Sequence, residues 1–164
     1  MDSNNISRME MDALKEIGNI GVGKAATSLS KMLDKRISIA IPESRILPLI
    51  ALADQFGGPE NIVQSIYLKI NGDLKGKTML LFPDKVALLL VDLISGLPEH
   101  TTQRLDGESM SAFAEFGNIF VGNFLNGLSD LLNLRILPEL PLSARDMVQS
   151  LMDAVLIELG RDAD

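Results

Sequence analysis

No cysteine occurs among the 164 residues, so disulfides, thiolate metal sites and cysteine nucleophiles are excluded. A cysteine-free chain fits a reducing compartment, and the cytoplasm is the expected location. Tryptophan is also absent, and six Phe and one Tyr are the only aromatic residues. The core must therefore be built mainly from Leu, Ile, Val and Met. The single histidine, His100, stands in the loop Leu97-Pro-Glu-His-Thr-Thr, where a lone imidazole is expected to be solvated. Histidine-based metal sites and His-centred triads are excluded by number. No run of about 18 apolar residues occurs, so no membrane-spanning helix is expected. The opening Met1-Asp-Ser-Asn-Asn lacks a cationic stretch leading into an apolar one, so a secretory signal is not expected. Clustered cations are missing too, and a net charge of −7 argues against a dedicated nucleic-acid binder.

What the chain does contain is a repeat. Asp12-Ala-Leu-Lys-Glu16-Ile-Gly-Asn19 returns 99 residues later as Ser111-Ala-Phe-Ala-Glu115-Phe-Gly-Asn118. Residues 12–33 and 111–132 align without gaps with ten identities in 22 positions. Pro42 follows Asn19, and Pro141 follows Asn118, with 22 residues between in both cases. Apolar residues at 46% and charged residues at 23% are globular values for a chain of one-domain size. The expected fold is α+β: an internally duplicated unit of helix plus antiparallel sheet with pseudo-two-fold symmetry. Repeat 1 covers about 8–98 and repeat 2 about 109–164 of a single domain.

Periodicity predicts a first helix over 8–34, from Met11, Leu14, Ile17, Ile20, Leu29, Met32 and Leu33. The alternating, β-branched segment 36–41 reads as a strand stopped by Pro42, with a second extended piece at 46–50. Segments 62–70 and 77–82 flank Asn71-Gly72, a hairpin signal. Helices are expected at 84–95, 109–132 and 144–160, with an extended stretch over 134–142. The second copy lacks a counterpart of 62–95, so its sheet is expected to be incomplete at the C-terminus. A short natural chain, a shortened one, or a dimer completing the sheet by strand exchange would each account for this. An uncovered last helix would be a partner or dimer surface.

On a helix, Asp12, Glu16 and Asn19 fall within an arc of about 60°, and Ser111, Glu115 and Asn118 do likewise. Gly23 and Gly122 come next on the same faces. Glycine inside a helix costs about 1 kcal/mol against alanine, so Gly18, Gly21 and Gly23 need an explanation. Either they leave a bare stripe for a partner's backbone, or they let the two repeated helices cross closely. Gly18-Asn-Ile-Gly-Val-Gly23-Lys24 imitates a phosphate-cradling loop but has Ala25 where a Ser or Thr hydroxyl is needed, and no strand precedes it. Gly21-x-Gly23-x-x-Ala26 fails as a dinucleotide fingerprint for the same missing strand.

The motif Asp/Ser-x-x-x-Glu-x-x-Asn, then 22 residues, then Pro, present twice, closely resembles the CheC phosphatases of chemotaxis, whose relatives CheX and FliY share it. The resemblance implies dephosphorylation of CheY, a response regulator that carries its phosphoryl group on an aspartate. It also implies that Asn19 and Asn118 orient the attacking water while Glu16 and Glu115 anchor the regulator. Asp12 and Ser111 would support the site, and Pro42 and Pro141 would fix a strand end near each helix. No cofactor of this chain's own is implied, magnesium belonging to the regulator. CheD is a further partner that the resemblance allows. The alternative is a non-catalytic scaffold that binds phosphorylated CheY or resembles a flagellar switch protein.

Overall fold

The computed structural model of the protein describes residues 7–41 and 43–161. Helix α1 spans Arg8–Leu33 and opens on a capping box. The Ser7 hydroxyl accepts the Glu10 N–H at 3.3 Å, and the Glu10 carboxylate accepts the Ser7 N–H at 2.7 Å. After a 3-10 turn at Leu49–Ala51 and the short helix α2, Leu52–Gln55, the chain enters strands β1, Ile62–Gly72, and β2, Gly76–Pro83. Helix α3 covers Asp84–Ile94 and helix α4 covers Gly107–Leu132. Strands β3, Ile136–Pro138, and β4, Leu142–Met147, lead into the final helix α5, Val148–Arg161. The two long helices also end alike: Asp34 and Asn133, 99 residues apart, both take left-handed conformations with φ of 48° and 51°. Short polar side chains tolerate that geometry, and neither helix needs a glycine to stop.

Helices α1 and α4 pack antiparallel. Gly21 faces Phe124 and Gly127, while Ser28, farther along α1, donates from its hydroxyl to the Asn123 carboxamide oxygen at 2.7 Å. A Cβ on Gly127 would lie 3.0 Å from the Gly21 Cα, and one on Gly21 would lie 2.6 Å from the Phe124 ring. These two glycines make the close crossing. Lys24 bridges it by pairing with Asp130, which is a structural use for the lysine of the phosphate-loop look-alike.

Strand β1 is the centre of the sheet. It pairs antiparallel with β2 on one side (Ile66↔Leu80) and on the other with β3 (Asn71↔Leu137) and β4 (Ser65↔Ala144). The hairpin of the first copy is thus laddered to the strands of the second. Ile66 and Leu68 enter the larger core with Leu29, Phe113, Phe116, Val121 and Leu125. Phe82 meets Phe113 and Phe116 edge-on, with centroids 5.6 and 6.0 Å apart. On the opposite face Val63 packs with Ala53, Val148, Leu151 and Met152.

The hairpin forms, but its turn is not Asn71-Gly72. Pairing with β2 closes at Ile70↔Gly76, while Asn71 and Gly72 continue β1 in its ladder with β3, so residues 73–75 make the loop. Gly72 has φ +109°, and a Cβ there would lie 2.1 Å from the Arg135 carbonyl oxygen. Its freedom is used to admit the approach to β3. The predicted helix start at 144 is also corrected: residues 144–147 continue β4 because β1 offers them a ladder. Helix α5 is covered internally through Val148, Leu151 and Met152, with Leu156 and Ile157 exposed.

The expected strand at 36–41 does not form, and residues 46–50 run into the 3-10 turn. The reason is the pairing rule just described. Residues 37–39 correspond by the 99-residue shift to β3, whose partner is β1, and the described residues hold no second-copy counterpart of β1. An extended segment without a ladder partner is not a strand. Between it and the outer edge of β2 runs an apolar groove of about 490 Å³, lined by Leu29, Leu33, Ile37, Ile39, Phe82 and Phe116 among others.

Two outcomes follow from this packing. Gly127→Ala should destabilise the fold by about 1–3 kcal/mol in denaturant titrations, because a backbone rather than a side chain must move. Asp84 joins three elements, accepting from Gln64 on β1 at 2.8 Å and from Arg145 on β4 at 2.9 and 3.1 Å. The Arg145 hydrogen bonds hold its carboxyl below the ordinary aspartate value of 3.8, against the opposing effect of burial. The stabilisation is therefore complete above that value and disappears as pH falls through the lowered one. Asp84→Asn should flatten the acid limb of a stability–pH profile while leaving the shape near neutrality unchanged.

Candidate functional site

Each long helix carries its carboxylate and carboxamide one turn apart on one face, and the structure keeps both pairs at the surface. Asp12 and Glu16 are exposed and Asn19 is half-buried; Ser111, Glu115 and Asn118 are all exposed. The Ser111 hydroxyl donates to the Gly107 carbonyl at 3.1 Å, so its bond is to the backbone of its helix rather than to the Glu115 side chain. Pro42 lies outside the described residues, and Pro141 is half-buried between β3 and β4.

The glycines divide by position. A Cβ on Gly23 or Gly122 would meet nothing within 4 Å, so a bare, open patch lies one helical turn beyond each Asn. Gly18 and Gly117 are seats instead. A Cβ on Gly18 would come within 2.7 Å of the Ile41 side chain, and one on Gly117 within 2.5 Å of Ile66. Helix crossing thus accounts for Gly21, the flanking segment at Ile41 accounts for Gly18, strand β1 accounts for Gly117, and none of these accounts for Gly23 or Gly122.

Asn19 and Asn118 differ in their partners. The Asn19 carboxamide oxygen accepts the Ile41 backbone N–H at 3.0 Å. Residue 41 was not singled out in the sequence, although the fixed spacing to the neighbouring Pro42 is the signal that could have found it. Its counterpart by the 99-residue shift is Leu140, which is 84% exposed. The antiparallel crossing near Ala25 lies about six residues, roughly 9 Å of helix, beyond Asn19. The same distance separates Asn118 from Phe124, so the two pairs sit toward opposite ends of the crossed helices and can be approached separately. No helix of the described residues is long and apolar enough to cross a membrane.

The sequence model of the CheC-like family matches residues 9–44 and 108–141, which are the two segments from helix start to proline. The CheY-P phosphatase CheC of Bacillus subtilis (strain 168) is 34% identical over 160 residues, covering 96% of this chain and 77% of that protein. The chain belongs to the CheC-like family. The flagellar motor switch phosphatase FliY of the same organism is 29% identical over 132 residues, 80% of this chain but 34% of FliY. The crystal structure of Thermotoga maritima FliY shares the fold with a TM-score of 0.78 and 28% identity, over 88% of this chain and 72% of that one. The mixed fold of this CheC-like protein, two like helices on an antiparallel sheet, agrees with the class expected from the repeat.

Open space at the two outer glycines gives a sharp expectation. Gly23→Ala and Gly122→Ala should each leave the fold intact or raise its stability by up to about 1 kcal/mol, since only helix propensity changes. Gly117→Ala should lower it, because Ile66 is fully buried and must shift. Thermal unfolding of the three variants side by side checks the division.

Proposed function

We propose that this CheC-like protein hydrolyses the aspartyl phosphate of a CheY-type response regulator. The observation that carries the reading is the twice-present Glu–Asn pair at the surface, Asn19 half-buried and the other three residues exposed, with an open glycine one turn beyond each Asn. An aspartyl phosphate is an acyl phosphate and already activated, so a catalyst need only place a water in line with the phosphorus and support a loose transition state. The water oxygen bonds to phosphorus, the bond to the aspartyl oxygen breaks, and the products are inorganic phosphate and a regulator carboxylate. No nucleophile from this chain takes part.

Asn19 and Asn118 suit the water-placing role because a carboxamide offers an acceptor and donors together and does not titrate near neutrality. Glu16 and Glu115, one turn earlier, project anions toward the docked partner and would pair with a cation beside its phosphorylated aspartate. Gly23 and Gly122 leave room for the partner's backbone. Asp12 and Ser111 stand at the outer margin of each stripe and take no chemical role. Magnesium, where the reaction uses it, would sit on the regulator's own acidic residues.

Release of phosphate from a phosphorylated CheY-type receiver, with wild-type protein, Asn19→Ala, Asn118→Ala and the double variant, tests the reading. Loss of a water-positioning group should cost about 10²-fold in turnover at the affected site, so each single variant retains the other site's share and the double variant falls to the regulator's spontaneous rate. Unaltered acceleration by the folded double variant would sink the asparagine assignment. No acceleration by wild type, with binding of the phosphorylated regulator retained, would leave a scaffold.

A further inference from the structure

We infer that Ile41 is a positioning residue for Asn19, acting through its backbone N–H, and that only the first copy has this device. The inference rests on the role of Asn19 proposed above.

Three observations converge. A backbone N–H can only donate, so the 3.0 Å contact from Ile41 requires the carboxamide oxygen of Asn19 on that side. The NH₂ group is then directed away from the segment, and the second lone pair of the oxygen is left for a water. Ile41 is itself held, because its side chain rests on the bare backbone at Gly18, where a Cβ would stand 2.7 Å from its terminal methyl. Residues 37–41 have no ladder to fix them; the Ser30 hydroxyl of α1 holds the Ile37 backbone at one end of the segment, accepting its N–H at 2.9 Å, and Gly18 and Asn19 hold Ile41 at the other. Among the described residues the second copy has no equivalent clamp. The seat at Gly117 is taken by Ile66 of β1, and Leu140, in the place of Ile41, stands out in solvent.

A carboxamide whose orientation is fixed beforehand loses less rotamer freedom when it engages water and phosphoryl group than one that is free to turn. The consequence is kinetic and confined to one site. In the first copy the asparagine is set before the regulator arrives; in the second it is set on docking. Removing the Ile41 N–H should therefore reduce turnover at the first site with little change in regulator affinity, because docking through Glu16 and the Gly23 patch is untouched.

The test uses Asn118→Ala protein, in which only the first site works. Adding Ile41→Pro deletes the N–H in a segment outside any helix or ladder, and adding Ile41→Val retains both the N–H and a branched side chain. The proline variant should lose about tenfold or more in kcat with KM changed less than about twofold, and the valine variant should keep the parent rate. Gly18→Ala in the same background displaces the Ile41 side chain without altering the donor and should lower kcat in the same way. Independently of turnover, the Ile41 amide should be protected from hydrogen exchange in the Asn118→Ala protein and lose that protection on Asn19→Ala. Unchanged or raised kcat in folded Ile41→Pro protein would overturn the inference, as would an Asn118→Ala protein with no residual turnover. Activity surviving in the Asn19→Ala, Asn118→Ala double variant would instead reject the asparagine reading, and the inference with it.

Discussion

Strand β1 is the element on which the remainder of the molecule rests. It is hydrogen-bonded on both sides, along its length to β2 and in two stretches to β3 and β4. Its residues reach both cores, with Ile66 and Leu68 on the side of the long helices and Val63 on the side of α5. Ile66 alone connects three requirements: it fills the larger core, pairs with Leu80, and sits on Gly117 so closely that no Cβ fits between them. The second helix is positioned by that contact, and with it the face that carries Glu115 and Asn118. A site formed by side chains of a single helix still depends on the strand beneath it.

The site is built on helical spacing rather than on convergence of distant loops. Three- and four-residue steps align the carboxylate, the carboxamide and the bare glycine without help from tertiary structure. What tertiary structure adds is orientation. It keeps these faces outward by burying the other sides of the helices, through Val22, Ala25 and Leu29 in α1 and Phe113, Phe116 and Val121 in α4. Rigid helices of 26 residues present the groups on a platform that loops of similar length would not provide.

The helices and the Glu–Asn faces were legible because both depend on local periodicity, and the duplication supplied a second reading of each. The sheet was less legible, for definable reasons. Segment 36–41 has the alternation of a strand, yet a ladder requires a neighbour, and sequence periodicity carries no information about whether one exists. Residues 144–147 carry a spacing that permits a helix, but β1 offers them a partner. Asn71-Gly72 matched a tight turn, while the positive φ of Gly72 serves contact with Arg135, more than sixty residues away. The Ile41–Asn19 bond lay between these cases, signalled by the constant distance from Asn to Pro although the motif names neither the donor nor the residue before the proline.

The crossing of the two long helices has an asymmetry that the shared motif conceals. Gly21 corresponds by the 99-residue shift to Phe120, and Gly127 corresponds to Ser28. The close approach of Gly21 and Gly127 therefore occurs on one side of the pseudo-dyad, with Phe120 and Ser28 in the matching places on the other. A chain carrying the first helix twice would leave the volume of Phe120 empty. A chain carrying the second helix twice would set a phenylalanine where Gly21 now admits the Phe124 ring and the backbone of Gly127. The halves have thus become complementary where they touch while staying alike where they face outward, and neither can stand in for the other.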